Sequence, residues 1–188
     1  MRIVGGKWRR RKLDSSFKLK NQSIIRPTSD RVKENIFNVV ENLRTGNPLK
    51  GAQVLDLFCG TGAMGLEALS RGAHFCHFID NSREAKRLTL QNVRKVGAKQ
   101  NSMFSMTDIL DLDQNYGVVS NLVFLDPPYG KNLGTVAISL LLENDWVSDD
   151  TIFILEKEVN GQFSSELKIV DQRVYGGTEI LILKYENV

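Results

Sequence analysis

Asp56-Leu57-Phe58-Cys59-Gly60-Thr61-Gly62-Ala63-Met64-Gly65 is the stretch that decides the fold. An apolar run over residues 54–58 reads as a buried strand, and residues 64–70 read as a short helix closed by Gly72. Gly60, Gly62 and Gly65 satisfy the G-x-G-x-x-G spacing, which lets a backbone turn tightly and approach a ligand at a helix N-terminus. Asp80 ends the next apolar run 20 residues past Gly60, where a carboxylate suits a ribose diol. Taken alone, this segment leaves a nicotinamide- or flavin-binding protein open.

Working outward, the chain alternates strand and helix patterns. Strands are expected at 74–79, 102–106, 122–125 and 151–155, and helices at 82–96, closed by Gly97, and at 134–142. Residues 168–175 and 179–185 form a hairpin turning at Gly176-Gly177. The pattern predicts an α/β fold with a mostly parallel seven-stranded sheet covered by helices on both faces, its last strand antiparallel. Upstream, residues 2–5 and 8–13 read as a small β-hairpin or arm. Pro27 ends the extended stretch, and Thr28 or Ser29 can cap a helix carrying Val32, Ile36, Phe37, Val40 and Leu43 on one stripe. The expected division is therefore a basic N-terminal hairpin at 1–27 and a main domain at 28–188.

In such sheets ligands bind at the carboxyl ends of the strands near the switch in strand order, so the loops carrying Gly60, Asp80, Asp108 and Asp126 should converge. Asp56 separates the possible ligands. A dinucleotide would bring an anionic pyrophosphate toward that carboxylate, whereas S-adenosyl-L-methionine has no phosphate and carries a cationic sulfonium and ammonium. Asp108 is placed to accept from an adenine amino group or to cap the following turn. Phe58, Thr61, Asn81 and Ile109 flank these acids and join Asp56, Gly60, Gly62, Asp80 and Asp108 as cofactor-contact candidates.

The most specific motif is the apolar strand ending in Asp126-Pro127-Pro128-Tyr129. The prolines fix their own φ and hold the residue before each extended. Asp126 and the Pro127 carbonyl thus offer two acceptors at a strand tip. Accepting both N–H bonds of a ring amine would draw its nitrogen toward tetrahedral geometry and expose the lone pair to a methyl donor. Tyr129 would stack on a base that has been flipped or left unpaired. Guanine presents N1–H beside N2–H₂, two donors a carboxylate can take together; adenine presents only N6–H₂ beside an acceptor, so guanine is modestly favoured.

Charge is unevenly placed. Net charge is +3, yet residues 1–33 hold 11 Lys/Arg against Asp14 and Asp30. A cationic arm on an acidic body suggests a polyanionic partner, a solvated tail being the bland counterpart. No apolar run reaches the roughly 18 residues that span a bilayer. Cys59 and Cys76 lack metal-ligand spacing and read as buried free thiols of a reducing compartment; with two histidines, no metal site is expected.

The chain resembles the RsmD-type bacterial small-subunit rRNA guanine-N2 methyltransferases over nearly its whole length. The resemblance is carried by residues 2–9 with Arg11-Lys12-Leu13, by Arg26-Pro27-Thr28 with Asp30-Arg31-Val32, by 54–73, by Asp126–Tyr129, and by Tyr175-Gly176-Gly177-Thr178. It implies a Rossmann-like class I methyltransferase that moves a methyl group from S-adenosyl-L-methionine to N2 of a guanine in 16S rRNA, within a small-subunit particle, in the cytoplasm, as a monomer. It gives Lys7, Arg9, Arg10, Arg11, Lys12, Arg26 and Arg31 a role in gripping RNA. Asp80 departs from it, a glutamate being common there. An adenine-N6 RNA or DNA methyltransferase, and a non-catalytic RNA-binding module on the same fold, are the alternatives.

Overall fold

The structure, a computed structural model, describes residues 1–15, 30–44, 46–115, 117–130 and 132–185. The expected boundary at residue 27, the caps at Thr28 or Ser29, and Arg26 lie outside them. Seven strands form one sheet: β1 (Gln53–Leu57), β2 (Phe75–Ile79), β3 (Ser102–Ser105), β4 (Ser120–Leu125), β5 (Val147–Glu158), β6 (Lys168–Tyr175) and β7 (Thr178–Lys184). Their order is β3-β2-β1-β4-β5-β7-β6. Pairing is parallel from β3 through β5, and β7 enters antiparallel between β5 and β6, as expected from the terminal hairpin. β5 extends beyond the apolar 151–155 because Val147 pairs with Ser120 of β4 across an irregularity and the polar Glu156, Lys157 and Glu158 still pair with β7. Hydrophobicity marks the buried part of a strand; ladder partners set its length.

Side chains alternate across the sheet. Val54, Phe78, Leu122, Phe124 and Ile154 face one apolar cluster, with Ile36, Phe37 and Val40 of helix α1 (Asp30–Glu41) and Leu66 and Leu69 of α2 (Ala63–Ser70). Helix α3 (Arg83–Val96) adds Val93 and Val96 to the same cluster. Leu55, Leu57, Val123, Leu125 and Phe153 face the other, with Ala137, Ile138 and Leu141 of α4 (Leu133–Glu143). Local signals place the helix ends: Ser82 caps α3 by accepting from Ala85 N–H, and Gly97 closes it at φ 79°. Both cysteines are buried and free.

The first residues form a tight hairpin, with Arg2 bridged to Lys12 and Gly6–Trp8 in a 3₁₀ turn. Ile3 and Leu13 are buried in the main apolar cluster, so the hairpin shares the core of the body. Glu67 accepts from Val4 N–H at 2.8 Å and Gly5 N–H at 2.7 Å, and Ser70 Oγ accepts from Trp8 N–H at 2.9 Å. At its open end, buried Asn92 bonds Asp14 through both its amide nitrogen and its oxygen. Among the described residues no helix is long and apolar enough to cross a membrane.

Candidate active site

Strand order reverses between β1 and β4, so the loops following them meet at one pole of the sheet. After β1 the chain turns through Phe58 at φ 55°, a left-handed conformation rare for a bulky residue, and then through Gly60 and Gly62 at φ 53° and 73°. A side chain on Gly62 would meet Thr89 Cγ2 at 2.9 Å, and one on Gly65 would meet Cys76 Sγ at 2.4 Å and Phe78 at 2.5 Å. Those two glycines allow α2 to lie against β2 and α3. At Gly60 only the Phe58 carbonyl comes within 4 Å, at 3.9 Å, so its open side is available to a ligand.

The acids predicted from the sequence gather around this turn. Asp56 is buried, and its Oδ2 accepts from Gly65 N–H at 2.8 Å. Asp80 accepts from Gly60 N–H at 3.0 Å and Ser82 N–H at 2.9 Å, tying the glycine turn to the end of β2. Asp108 caps the following turn, accepting from Leu110 N–H at 3.1 Å, and its other oxygen accepts from Asn81 Nδ2 at 2.7 Å. The Ile109 side chain is buried in the cluster beneath the sheet, leaving its backbone at the rim.

Asp126 follows β4 beside the tip of β5, where Leu125 pairs with Leu155 and Glu156 comes next. The residue is open to solvent on its cleft side; burial of its carboxyl within the surrounding protein, then the charges of Glu156 and Asp56, push its pKa well above the usual carboxylate range. Burial raises Asp80 as well and pushes Asp56 up to about 8. Neither Asp56 nor Asp80 hydrogen-bonds a described lysine or arginine. Carboxyls held up in this way gain their charge most readily beside a cation, so the arrangement suits a cationic ligand better than a pyrophosphate. Tyr129 is exposed, and its hydroxyl lies 3.1 Å from Thr178 Oγ1, which follows the Gly176-Gly177 turn. A cavity of about 270 Å³ opens beside Pro127 and Tyr129 toward Glu156 and Phe163.

Four supporting residues escaped the sequence reading. Thr89 Oγ1 donates to the Gly60 carbonyl at 3.0 Å, and Asn92 Nδ2 to that of Thr61 at 2.9 Å. Glu156 crowds Asp126, and Thr178 holds Tyr129. Thr89 and Asn92 sit three apart on α3, so their shared face was visible; that the face meets the glycine turn was not.

The basic residues are dispersed. Lys7, Arg9, Arg10, Arg11 and Lys12 are exposed at the hairpin tip, beside the C-terminal ends of α2 and α3. That end of the molecule is opposite the strand carboxyl termini. Arg11 donates to the Val96 carbonyl at 3.2 Å, an interaction with the α3 C-terminus, and the Lys7 ammonium lies 4.4 Å over the Trp8 ring. Arg31 is exposed on α1. Among the described residues no group of three or more His, Cys, Asp or Glu could hold a metal ion.

A seven-stranded sheet of this order, with the glycine turn and the Asp-Pro-Pro-Tyr tip meeting at its switch point, defines a Rossmann-like class I methyltransferase. The model of the family described as Conserved hypothetical protein 95 matches residues 1–184. Ribosomal RNA small subunit methyltransferase D of Escherichia coli is 36% identical over 159 residues, 85% of this chain and 75% of that protein. Its Haemophilus influenzae namesake is 35% identical over 162 residues, 84% and 79% of the two chains. The solved structure of yhhF from Escherichia coli superposes with a TM-score of 0.83 at 34% identity, over 99% of this chain and 98% of that one. The chain belongs to the ribosomal RNA small subunit methyltransferase D family.

Proposed function

We propose that the protein transfers a methyl group from S-adenosyl-L-methionine to the exocyclic N2 of a guanine in the 16S rRNA of the small ribosomal subunit. The observation that carries this reading is the pairing of an acid-lined glycine turn with Asp126-Pro127-Pro128-Tyr129 across one strand switch. The donor set fits the cofactor. Asp56 and Asp80 supply negative charge and hydrogen-bond acceptors, Gly60 leaves room for close approach, and Asn81 and Asp108 edge the side where an adenine would lie. When bound, the cofactor supplies an electrophilic methyl group on a cationic sulfur.

The chain's own residues would orient the acceptor. Asp126 and the Pro127 carbonyl take N–H bonds of the guanine edge, concentrating the lone pair on N2, and Tyr129 supports the ring from the position that Thr178 gives it. The test is methyl transfer from radiolabelled S-adenosyl-L-methionine to small subunits from cells lacking the matching enzyme, followed by nucleoside digestion. Label in N2-methylguanosine is the expected result. Label in N6-methyladenosine would overturn the base, and cofactor binding without label would favour a non-catalytic RNA-binding module.

A linked prediction concerns protons. Asp56, held near pH 8 by burial, is mostly protonated at pH 7 in the free protein. Relative to an unfolded carboxyl near 3.8, this raised value stabilises the free protein below about pH 4, and that contribution is lost as pH rises through 8. A cationic ligand favours the ionised form, so cofactor binding should release a proton at pH 7 and tighten between pH 6 and 8. Calorimetry in buffers of different ionisation enthalpy reads the release, which Asp56→Asn should remove. Binding enthalpy independent of buffer would dismiss this role.

A further inference from the structure

The acid-lined pole that suits a cationic cofactor repels the phosphates of an RNA substrate. Strand carrying the target base must therefore be gripped elsewhere and led in. The hairpin tip lies at the opposite pole. A groove of about 1040 Å³ lies between α1 and the β6–β7 hairpin. Its α1 wall carries Asn35 and Asn38, and Asn42, in the turn that follows α1, continues the spacing and donates to the Asn38 carbonyl at 2.8 Å. Two asparagines in a 12-residue helix and a third just past its end are poor helix formers that the core does not use, because Ile36, Phe37 and Val40 supply the buried stripe. Arg31 stands one turn before Asn35 on the same face, and Arg44 lies at the far end.

The opposite wall is the edge strand and its partner, presenting Lys168, Arg173 and Lys184; Arg173 pairs with Asp171 at 2.7 Å and Lys184 lies 3.5 Å from Asp150, both pairs at the exposed surface where phosphates can compete for the cations. Tyr175 lines the upper end of the groove and pairs in register with Thr178, the residue that holds Tyr129. The Tyr175 end of the groove thus lies toward the catalytic tip, two residues removed through Thr178 and Tyr129, and the Lys168 and Lys184 end lies at the other end of the β6–β7 ladder. Cations bind phosphates, and amide side chains hydrogen-bond phosphate, ribose and base edges.

We infer that this groove is the track for the RNA strand flanking the target base, with Asn35, Asn38, Asn42, Arg44, Lys168 and Arg173 as its contacts. The inference rests on the proposed RNA substrate and extends it to a surface outside the N-terminal basic run. The test compares wild type with Lys168→Glu/Arg173→Glu and with Asn38→Ala/Asn42→Ala. Three quantities are read: affinity for a labelled single-stranded RNA at several salt concentrations, affinity for small ribosomal subunits, and affinity for S-adenosyl-L-methionine.

The charge-reversal pair should weaken RNA binding at least about tenfold and flatten its salt slope by about 0.7 for each lost phosphate contact. Cofactor affinity and the unfolding midpoint should stay at wild-type values, and ultraviolet crosslinks should map to α1 and β6. Unchanged RNA affinity and slope in both variants would overturn the proposal. So would weakened binding to subunits with full affinity for RNA alone, an outcome that assigns the exposed β6 edge to a protein strand. Binding is measured without turnover, so failure of methyl transfer in wild type would count against the proposed activity while the RNA affinities still decide the groove.

Discussion

Asp126→Ala is expected to lower kcat by about 10²–10³-fold, roughly 2.7–4 kcal/mol of transition-state stabilisation, the scale seen when one preorganised hydrogen-bonding group is removed. Cofactor affinity should survive, because Asp56, Asp80 and the glycine turn keep their hydrogen bonds without Asp126. The carboxyl of Asp126 is held well above its ordinary range by burial and by Glu156 and Asp56, and a protonated carboxyl cannot accept two N–H bonds. Activity should therefore rise with pH as Asp126 ionises. Asp126→Asn, whose one carbonyl oxygen still accepts, should retain more activity than the alanine variant and lose that rising limb. Single-turnover rates against pH, with cofactor binding measured separately, check all three expectations. An Asp126→Ala enzyme that turns over normally, or that fails only by losing cofactor, would remove the residue from its assigned role.

The acidic pole and the RNA-facing surfaces explain each other. A cleft rich in carboxylates attracts a sulfonium and excludes the pyrophosphate that the same glycine spacing could otherwise hold. In the proposed reaction the phosphodiester chain stays outside this cleft and an extruded base reaches Asp126 past the exposed Tyr129. Separation of base chemistry from backbone binding follows from electrostatics and does not require a second domain.

Most of this was legible in the chain because it is encoded by local rules. The strand–glycine turn–helix unit, the Ser82 and Gly97 helix ends and the terminal hairpin each depend on a few adjacent residues. The mostly parallel sheet with its antiparallel last strand followed from the alternation of elements; the order of the strands did not. What could not be read were contacts between segments distant in sequence. Thr178 reads as an ordinary strand residue until the β5–β7 pairing brings it to Tyr129, 49 residues away. Arg11 reads as one more cation of a basic run, and only packing shows it at the end of α3. Asp108 was ambiguous for another reason: an acid capping a turn and an acid at a ligand rim share one local pattern, and the structure shows the cap.

Glu67 is the clearest case, since the sequence assigns it no role and its side chain is fully buried. One oxygen accepts from Gly5 N–H at 2.7 Å and Arg71 Nε at 2.8 Å; the other accepts from Val4 N–H at 2.8 Å and lies 3.7 Å from the buried Lys33 ammonium. Arg71 continues to Glu41 at 2.9 Å, so one carboxylate links the hairpin, α1 and α2. Glu67→Ala would strand the Lys33 charge and orphan two amides, a loss of about 3–5 kcal/mol. That is a large share of the 5–15 kcal/mol typical of a domain. Glu67→Gln keeps an acceptor and should fall between the two. Denaturant titration measures the loss, and hydrogen exchange at Val4 and Gly5 locates it. The hairpin also reaches the glycine turn through Asp14, Asn92 and the Thr61 carbonyl, so its release should weaken cofactor binding before global unfolding. A Glu67→Ala protein with wild-type stability and wild-type exchange at both amides would show that the buried cluster does not anchor the N-terminus.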